Sequence, residues 1–557
     1  MPPAPSILRQ LPRSFWVANG MEIFERMGWY GFYAVSTLYL TGATAEGGLG
    51  LSSRDRGVIQ GLTTFFLYFF PSLFGTLADR YGYRRMFLLS GFLMAPAYLL
   101  LRWPRSFWGF FAVYLLVAMG HGMFKPVVIS TIVRTTDART GTLGFGIFYM
   151  MVNIGGLVGP IIAGVVRGWD WSYVFLASAG WISLMTLLCL LLYQEPPRRQ
   201  ASEPLGEVLW RMVALVGNLR FFLLLIGMLV ILVMGSKWWS FPQALRAAAL
   251  WLGVHLLWDL LLRWGHGRQG PDVPWYRQRL RVGQGRYLLF LLLMSGFWTC
   301  FNQLSMTLPE YIRDYCDTGD LSRWLSPAGA AVTELFHRLG VDTSSWSRAV
   351  LERGQLKPEH LINLNALGIV LLQVLVSWTA RQWQPLTTII TGILITAVSF
   401  ALHLLGRTGW NVVLCVLVFS IGEMLASPKS KEYAGRIAPP DKVGMYMGYF
   451  YLCVALGNLF GGLLSGISYQ HFGPRGLNRP DLLWLGIAAL AALTAGALGL
   501  YDRWVRRTGP GALSHVSSDL SLAPAMGREP AGSRGATGRP PGHPANLAMG
   551  KGSGCSG

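Results

Sequence analysis

Two glutamates and an arginine lie within five residues of one another inside an apolar stretch, Asn19-Gly-Met-Glu22-Ile-Phe-Glu25-Arg26-Met-Gly-Trp-Tyr30-Gly-Phe-Tyr33. Each ionised group at mid-bilayer costs roughly 2.5–3.5 kcal/mol on insertion scales. Three of them persist only where they pair, face water or do work. Arg26 is effectively always charged. It can reach Glu22 one turn back and, less directly, the adjacent Glu25, so two carboxylates share one cation. One carboxylate can then take a proton near neutral pH while the other stays paired. Reversible protonation at Glu22 or Glu25 is the chemistry this spacing offers. A permanently ionised structural network is the alternative.

The element that must hold them is a membrane helix. Residues 15–40 are long enough to cross a bilayer. At 100° per residue, Glu22, Glu25, Arg26, Tyr30 and Tyr33 fall within about 140° of one another. Such a helix lines a polar path through a bundle. The whole chain fits that setting: 557 residues, 52% hydrophobic and only 13% charged, where soluble domains run near a quarter charged. The predicted fold class is an all-α polytopic membrane protein. Fourteen apolar spans are expected near 15–40, 57–78, 86–101, 107–133, 143–166, 171–193, 219–235, 244–263, 286–309, 361–380, 386–405, 410–428, 443–468 and 482–502. Arg9 and Arg13 precede a first span too long for a signal-peptide core, so the first helix should be its own insertion signal.

The net charge of +20 could suggest nucleic acid, but its distribution argues otherwise. Arg9/Arg13, Arg80/Arg84/Arg85, Arg134/Arg139, Lys431/Arg436 and Arg503/Arg506/Arg507 fall on one side of alternating spans, and Arg102/Arg105 on the other. This positive-inside pattern places both termini in the cytoplasm of a multi-pass protein of the cell membrane. The six cysteines have no disulfide or metal spacing, and neither metal nor organic cofactor is expected. Residues 504–557, rich in Gly, Pro, Ser, Ala and Arg, should form a disordered cytoplasmic tail.

The chain repeats itself. Residues 120–166 align with 422–468 without a gap, at an offset of 302. Gly120, Pro126, Arg134, Gly155 and Gly159 meet Gly422, Pro428, Arg436, Gly457 and Gly461, and a weaker echo links Phe15-Trp16 with Phe297-Trp298. Two related halves in one membrane orientation follow: a six-helix bundle at 15–193 after a short terminus 1–14, and a second at 286–503 with an external loop 310–360. Between them, 194–285 is a cytoplasmic linker with two inserted helices, 219–235 and 244–263. Parallel halves about an axis normal to the membrane mark a rocking transporter. The repeated glycines let helix backbones approach closely.

Further charges fall on this frame. Lys125 precedes Pro126, whose ring kinks the helix and frees a carbonyl. It can bind a substrate carboxylate or pair with the glutamates of span 1. His121, one turn away on the same face, is a hydrogen-bonded structural histidine or a proton relay. The repeat sets His121 against Glu423 and Lys125 against Ser427. If Lys125 lines a cavity, Glu423 lines it from the other half and can receive a substrate amine.

Several motifs resemble a known family. Gly75-Thr-Leu-Ala-Asp79-Arg80-Tyr-Gly82-Tyr-Arg84-Arg85 is similar to the major facilitator signature after span 2. Glu22-Ile-Phe-Glu25-Arg26, Gly120-His-Gly-Met-Phe-Lys125-Pro126, Phe148-Tyr149-Met-Met-Val-Asn153 and Gly422-Glu423-Met-Leu-Ala-Ser427-Pro428 resemble, in order, the motifs of the proton-dependent oligopeptide transporters, over roughly residues 14–503. The resemblance implies two six-helix bundles, proton coupling through Glu22, Glu25 and Arg26, and a pocket lined by Tyr30, Tyr68, Lys125, Asn153, Gln303, Asn365 and Glu423. It implies a conformational latch of Gly75, Asp79, Arg80 and Arg84, with Gly75 in close contact with the other half. A candidate gate pairs Arg54 or Arg56 with Glu310 or Asp314. The chain departs from the family where Tyr33 replaces an arginine, Asn302 a glutamate, Ala366 a proline and Phe450 a tryptophan.

The leading expectation is a proton-coupled symporter of di- and tripeptides or related small solutes, monomeric in the bilayer. A facilitator-fold transporter of a non-peptide solute, an anion or drug-like compound, with export as one direction it allows, is the second reading. A non-transporting membrane scaffold or sensor is the third. No nucleophile motif or phosphate loop suggests an enzyme.

Overall fold

In the computed structural model, residues 11–137, 140–196, 206, 218–264, 273–280, 285–338, 350–437 and 443–508 are described. Of the predicted linker 194–285, residues 197–205, 207–217, 265–272 and 281–284 lie outside them, as does the predicted tail from 509 onward. The first half runs α1 Arg13–Thr41, α2 Ser53–Tyr81, α3 Tyr83–Leu100, α4 Phe107–Thr135, α5 Gly141–Arg167 and α6 Trp171–Leu192. The inserted pair is α7 Leu219–Trp238 and α8 Phe241–Trp264. The second half begins with a broken helix, α9 Gly285–Phe301, α10 Gln303–Met306 and α11 Leu308–Tyr315, followed by α12 Gly319–Arg338. It continues through α13 Pro358–Ile362, α14 Leu364–Thr379, α15 Pro385–Leu402, α16 Gly409–Ile437, α17 Val443–Phe472 and α18 Pro480–Thr508.

Eleven helices among the described residues are long and apolar enough to cross a membrane. The other three predicted spans are helical but fall short of that measure: α1 and α3 carry charges, and α7 contributes only the shorter apolar stretch Leu219–Gly235. Capping follows the sequence. Ser52, Ser106, Asp170 and Asn218 each accept a hydrogen bond from a backbone N–H in the first turn of the helix they precede, satisfying one of the orphan donors there.

The predicted external loop 310–360 is largely built. The span expected to end at 309 continues through Leu308–Tyr315, which puts Glu310 and Asp314 on a helix, and α12 fills much of the rest. A two-residue hairpin, β1 Leu351–Glu352 with β2 Gln355–Leu356, turns through Arg353 at φ 52° and Gly354 at φ 78°. Two consecutive left-handed residues are what so tight a hairpin demands. At the far end, α18 runs past 503, and Arg506 donates to Asp502 one turn back at 2.9 Å; the tail begins later than expected.

Two separate apolar clusters form the core, one built mainly from residues 11–193 and the other from residues 287–501. They are the two halves of the repeat. The repeated glycines sit against the central helix of each half. A side chain at Gly155 would strike Arg26 Cβ and the Ile23 carbonyl, and one at Gly457 would strike Trp298 Cβ and the Ser295 carbonyl. The same socket therefore receives Arg26 in one half and Trp298 in the other. This equates α1 with α9 at an offset of 272, not the 282 of the Phe15-Trp16 echo. Glu25 then corresponds to Phe297 and Glu22 to Met294. The charge cluster has no counterpart in the second half.

Candidate functional site

The α1 charges are buried together. Glu22, Glu25 and Arg26 are 0%, 1% and 4% exposed. Arg26 Nε donates to Glu25 Oε2 at 2.6 Å, and Arg26 lies 3.5 Å from Glu22. From α4, Lys125 donates to Glu22, and His121 Nδ1 lies 2.5 Å from Glu25 Oε1 and 2.8 Å from Arg26 Nη2. Two acids, two basic side chains and a histidine thus close on one another between α1 and α4. Trp29 lies against the imidazole, with centroids 5.8 Å apart.

One contact in this network has a chemical consequence. His121 Nδ1 faces a donor and a carboxylate at once. A bare Nδ1 can accept from Arg26, or from Glu25 when that carboxyl is protonated. A protonated Nδ1 can donate only to Glu25. Moving a single proton therefore changes which partner the ring holds. Glu22 Oε2 is buried with no hydrogen-bond partner, an oxygen that can take a proton without giving up a bond.

Beside the cluster lies the gap between the halves. Lys125 keeps 23% of its side chain exposed in mid-helix and sits 5.2 Å over the Phe148 ring. Tyr30 lies under Arg26 at 5.4 Å and within electrostatic reach of Glu423, as does Tyr149. Tyr68 is within reach of Tyr30 and Tyr451. Asn365 donates to Glu423 Oε2 at 2.8 Å and to Ser420 Oγ at 3.1 Å. Glu423 therefore lies within electrostatic reach of both α1 and α5.

Other predicted liners are used differently. Gln303 is fully buried, donates to the Thr299 and Gly461 carbonyls and accepts from Thr307. It seals the break between α9 and α10 and has no donor left for a pocket. Asn153 donates back to the Tyr149 carbonyl at 2.8 Å. Asn302 likewise donates to the Trp298 carbonyl, with its Cβ against Gly461. Tyr33 stacks on Trp29 at 5.3 Å, its hydroxyl buried without a partner.

Of the candidate gate, one pair forms. Arg56 and Glu310, both 0% exposed, make an ion pair across the halves. Arg56 also donates to Ser465 Oγ at 2.7 Å, and Ser53 to Glu310 at 2.7 Å. Arg54 does not join. It donates to the Gly235 and Trp239 carbonyls and so holds α7 in place. Asp314 instead accepts from Arg313 at 2.7 Å and Tyr469 at 2.8 Å.

The sequence reading missed a second set of links at this end. Arg167, closing α5, pairs with Glu359 at 2.9 Å and Glu352 at 2.8 Å. Lys357 donates to the Gly164 carbonyl at 2.9 Å, and Arg353 reaches Glu46 at 2.7 Å from the hairpin turn. Opposite charges at helix ends gave a signal, but their pairing depends on how far apart the halves stand. A cleft of about 390 Å³ opens above Glu310, lined also by Ser53, Arg313, Asp314 and Tyr469. It is a vestibule at the joined end, apart from the Glu22–Lys125 cluster. Between α2 and α17, Gly57 and Gly61 meet Gly462 and Gly466 with no room for side chains.

The latch residues lie at the opposite end and stay within their own half. Asp79 accepts from Arg134 at 3.1 Å and from the Tyr83 hydroxyl at 2.9 Å. Arg84 donates to the Leu190 carbonyl, and Arg80 lies over the Tyr81 ring. Gly75 was expected against the other half, but its nearest neighbour is Pro126 of α4, 3.4 Å from where a Cβ would stand.

Comparison with known proteins agrees with this architecture. A model of the Major Facilitator Superfamily matches residues 21–333 and 359–534. The peptide transporter YePEPT of Yersinia enterocolitica is 24% identical over 80% of this chain and 86% of its own length. Dipeptide and tripeptide permease A of Escherichia coli is 23% identical over 82% and 84%. An autoinhibited POT family peptide transporter of known structure superposes with a TM-score of 0.64 at 22% identity, covering 88% of this chain and 97% of that one. A POT family transporter solved with 5-aminolevulinic acid gives a TM-score of 0.62 at 19% identity, over 89% and 99%. These relatives are transporters and not enzymes. The chain is a multi-pass membrane protein that belongs to the Major Facilitator Superfamily, as a divergent relative of its POT transporters.

Proposed function

We propose that this chain is a proton-coupled symporter of di- and tripeptides or related small organic solutes, working by alternating access. The observation that carries it is the single buried network in which Glu25, His121 and Arg26 exchange partners with one proton while Lys125, bonded to Glu22, borders the gap facing Glu423. A substrate carboxylate arriving at Lys125 competes with Glu22 for the ammonium. Glu22, relieved of that partner, takes a proton on its unbonded oxygen. A substrate amine is held by Glu423, with Asn365 fixing the carboxylate. Arg26 keeps Glu25 ionised until His121 delivers a proton to it. Substrate and proton then enter together because each makes room for the other.

The energetics suffice. One charge crossing about 100 mV supplies roughly 2.3 kcal/mol, near fifty-fold in concentration when about 1.4 kcal/mol is tenfold. The charge asymmetry of the loops supports cytoplasmic termini, which would make the Arg56–Glu310 end the outer one. No organic cofactor or metal takes part, and the working unit is the monomer.

Uptake of labelled dialanine into proteoliposomes, with and without an inward proton gradient, tests the reading. Gradient-driven accumulation is the expected result, and uptake indifferent to pH removes the coupling. A second reading, transport of a non-peptide solute, is favoured by one observation: Tyr33 and Asn302, where POT relatives carry charges, face Trp29 and their own helix instead of the gap. Failure of every dipeptide alongside an intact proton response would select it. A scaffold or sensor would show neither.

A further inference from the structure

The helix α12 has one apolar face and one polar face. At 100° per residue, Trp324, Leu325, Ala328, Ala331 and Leu335 fall within about 120° of one another. Arg323, Ser326, Thr333, Glu334, His337 and Arg338 share the opposite arc. The helix is well supported along its length. Asp317 Oδ1 accepts from the Gly319 N–H at 2.9 Å at its start, and Arg338 donates to Glu334 at 2.9 Å at its end. Pro327 has no N–H to give the Arg323 carbonyl, and the Ser326 hydroxyl donates to it instead at 2.9 Å. Yet Trp324 and Leu335 are 64% and 57% exposed, with Leu325 and both alanines exposed between them. A contiguous apolar face left open in this way marks an interaction surface. Its partner is indicated by where the face begins. The Gly409 N–H donates to the Asp317 carbonyl at 2.9 Å, and Asp320 accepts from the N–H groups of Gly409 and Trp410. The first turn of α12 is thereby fixed to the first turn of α16, a membrane span. Leu321, on the same arc as Trp324, is buried against Gly409, which has no room for a side chain. The Trp324 ring meets Trp410 edge-on, with centroids 5.2 Å apart. Trp410 in turn heads a stripe of exposed side chains on one face of α16, Leu414, Leu417 and Ile421, which is the lipid face of that span. The apolar arc of α12 thus continues a lipid-facing surface at the level where tryptophans mark the edge of a bilayer.

We propose that α12 lies on the bilayer at the Glu310 end of the molecule, with the face from Trp324 to Leu335 sunk into the boundary between headgroups and acyl chains. Its charges balance, Asp320 and Glu334 against Arg323 and Arg338, so apolar area drives the contact and the partner is zwitterionic phospholipid. Twenty residues give the helix a reach of about 30 Å along the surface. Because α12 follows directly on α11, it moors the broken helix α9–α11, and Glu310 and Asp314 with it, to the lipid. The contact is independent of which solute is carried.

The test uses the full chain with Cys316→Ser and Cys555→Ser, so that the remaining native cysteines are buried. A nitroxide is attached at Leu335→Cys or, on the polar arc, at Ala330→Cys, and each protein is reconstituted in phosphatidylcholine liposomes. Both positions are exposed in the chain by itself, so a difference between them reports what covers the apolar face. Collisions with a water-soluble nickel chelate should be about tenfold rarer at Leu335→Cys than at Ala330→Cys, and collisions with dissolved oxygen more frequent. Adding phosphatidylglycerol should change neither. Matching size-exclusion profiles check that both variants fold. Equal access of the chelate to the two positions would overturn the proposal, as would a barrier that forms only with phosphatidylglycerol. Shielding of Leu335→Cys from chelate and oxygen alike would also overturn it, because a protein surface such as a second copy would then cover the face.

Discussion

The two ends of the molecule use the same residue types to opposite effect. At the Arg56 end, ion pairs cross between the halves: Arg56 with Glu310, Arg167 with Glu359 and Glu352, Arg353 with Glu46. At the Asp79 end, the described pairs stay at home, Asp79 with Arg134 and Tyr83, and Arg84 with a carbonyl of α6. On the proposed alternating access, the Arg56 end is the one whose links must break for the halves to rock. Charges across the halves are lost when that end opens, whereas charges within a half survive any rocking of one half against the other. The proton cluster is of the second kind. Its ionic members, Glu22, Glu25, Arg26, His121 and Lys125, all belong to the first half, so its chemistry can proceed without tearing the fold.

That contrast is most severely tested at Arg26. Replacing it with Gln leaves two buried carboxylates with too little countercharge. Breaking a buried pair from one side costs roughly 3–5 kcal/mol. We expect a large drop in the thermal midpoint of the detergent-solubilised protein and loss of gradient-driven uptake. Arg26→Lys should not restore transport, because one ammonium cannot span Glu25 and His121 as the guanidinium fork does. A variant with normal stability and uptake would remove the cluster from the mechanism.

Glu310→Gln comes next. It leaves Arg56 fully buried without its acid, but opening the end brings Arg56 to water. The loss should appear as conformation, not unfolding. Spin labels placed across the joined end should report a shift toward the open form of about tenfold or more, at least ~1.4 kcal/mol. An unchanged distance distribution would mean that the glycine packing of α2 on α17 holds that end shut unaided.

The architecture was largely legible because it rests on local signals: apolar runs, caps, and a repeat whose glycines have to face a neighbouring backbone. The α1 cluster was legible for a related reason. Three charges in an apolar helix must find one another, and the spacing of Glu22, Glu25 and Arg26 puts them on one face. Placement of His121 and Glu423 followed from helical spacing and the repeat. What failed depended on the distance between halves. Arg54 and Arg56 are two residues apart, yet one meets Glu310 and the other meets α7. Gly75 was assigned a contact with the other half, and it lies instead against Pro126 of its own half. Gln303 looks like a pocket residue by type, and only the broken helix at Asn302 and Thr307 shows why its amide is consumed.

Asp79→Asn should do little in the conformation described. Its carboxylate is 45% exposed and Arg134 lies at the surface beside it, and such pairs contribute about 0–1 kcal/mol. Spin-label distances at both ends and the thermal midpoint should stay near those of the parent. Transport should suffer more than either, since the same residue is proposed to bridge the halves when its end closes. A large distance change without substrate would show that Asp79 already acts between the halves.

The smallest effect is expected from pH at the joined end. Lys357 lies just before the helix that begins at Pro358, and burial there, outweighing the pull of Glu359, lowers its pKa from 10.5 to about 8. Opening that end would return the ammonium to water and its ordinary value. The joined form therefore binds fewer protons than the open form between about pH 8 and 10.5. Below pH 8 both forms carry the proton and pH has no leverage. Rising through that window, pH should favour the joined form, because the neutral amine no longer has to be dehydrated as a charge and can still donate to Gly164. By pH 8.5 the shift relative to low pH should be about fourfold, read from the same spin-label pair that reports Glu310→Gln. In Lys357→Met the pH response should vanish while the Arg56–Glu310 link stays intact. A response running the other way would mean that the charge on Lys357, paired with Glu359, helps to hold the halves together.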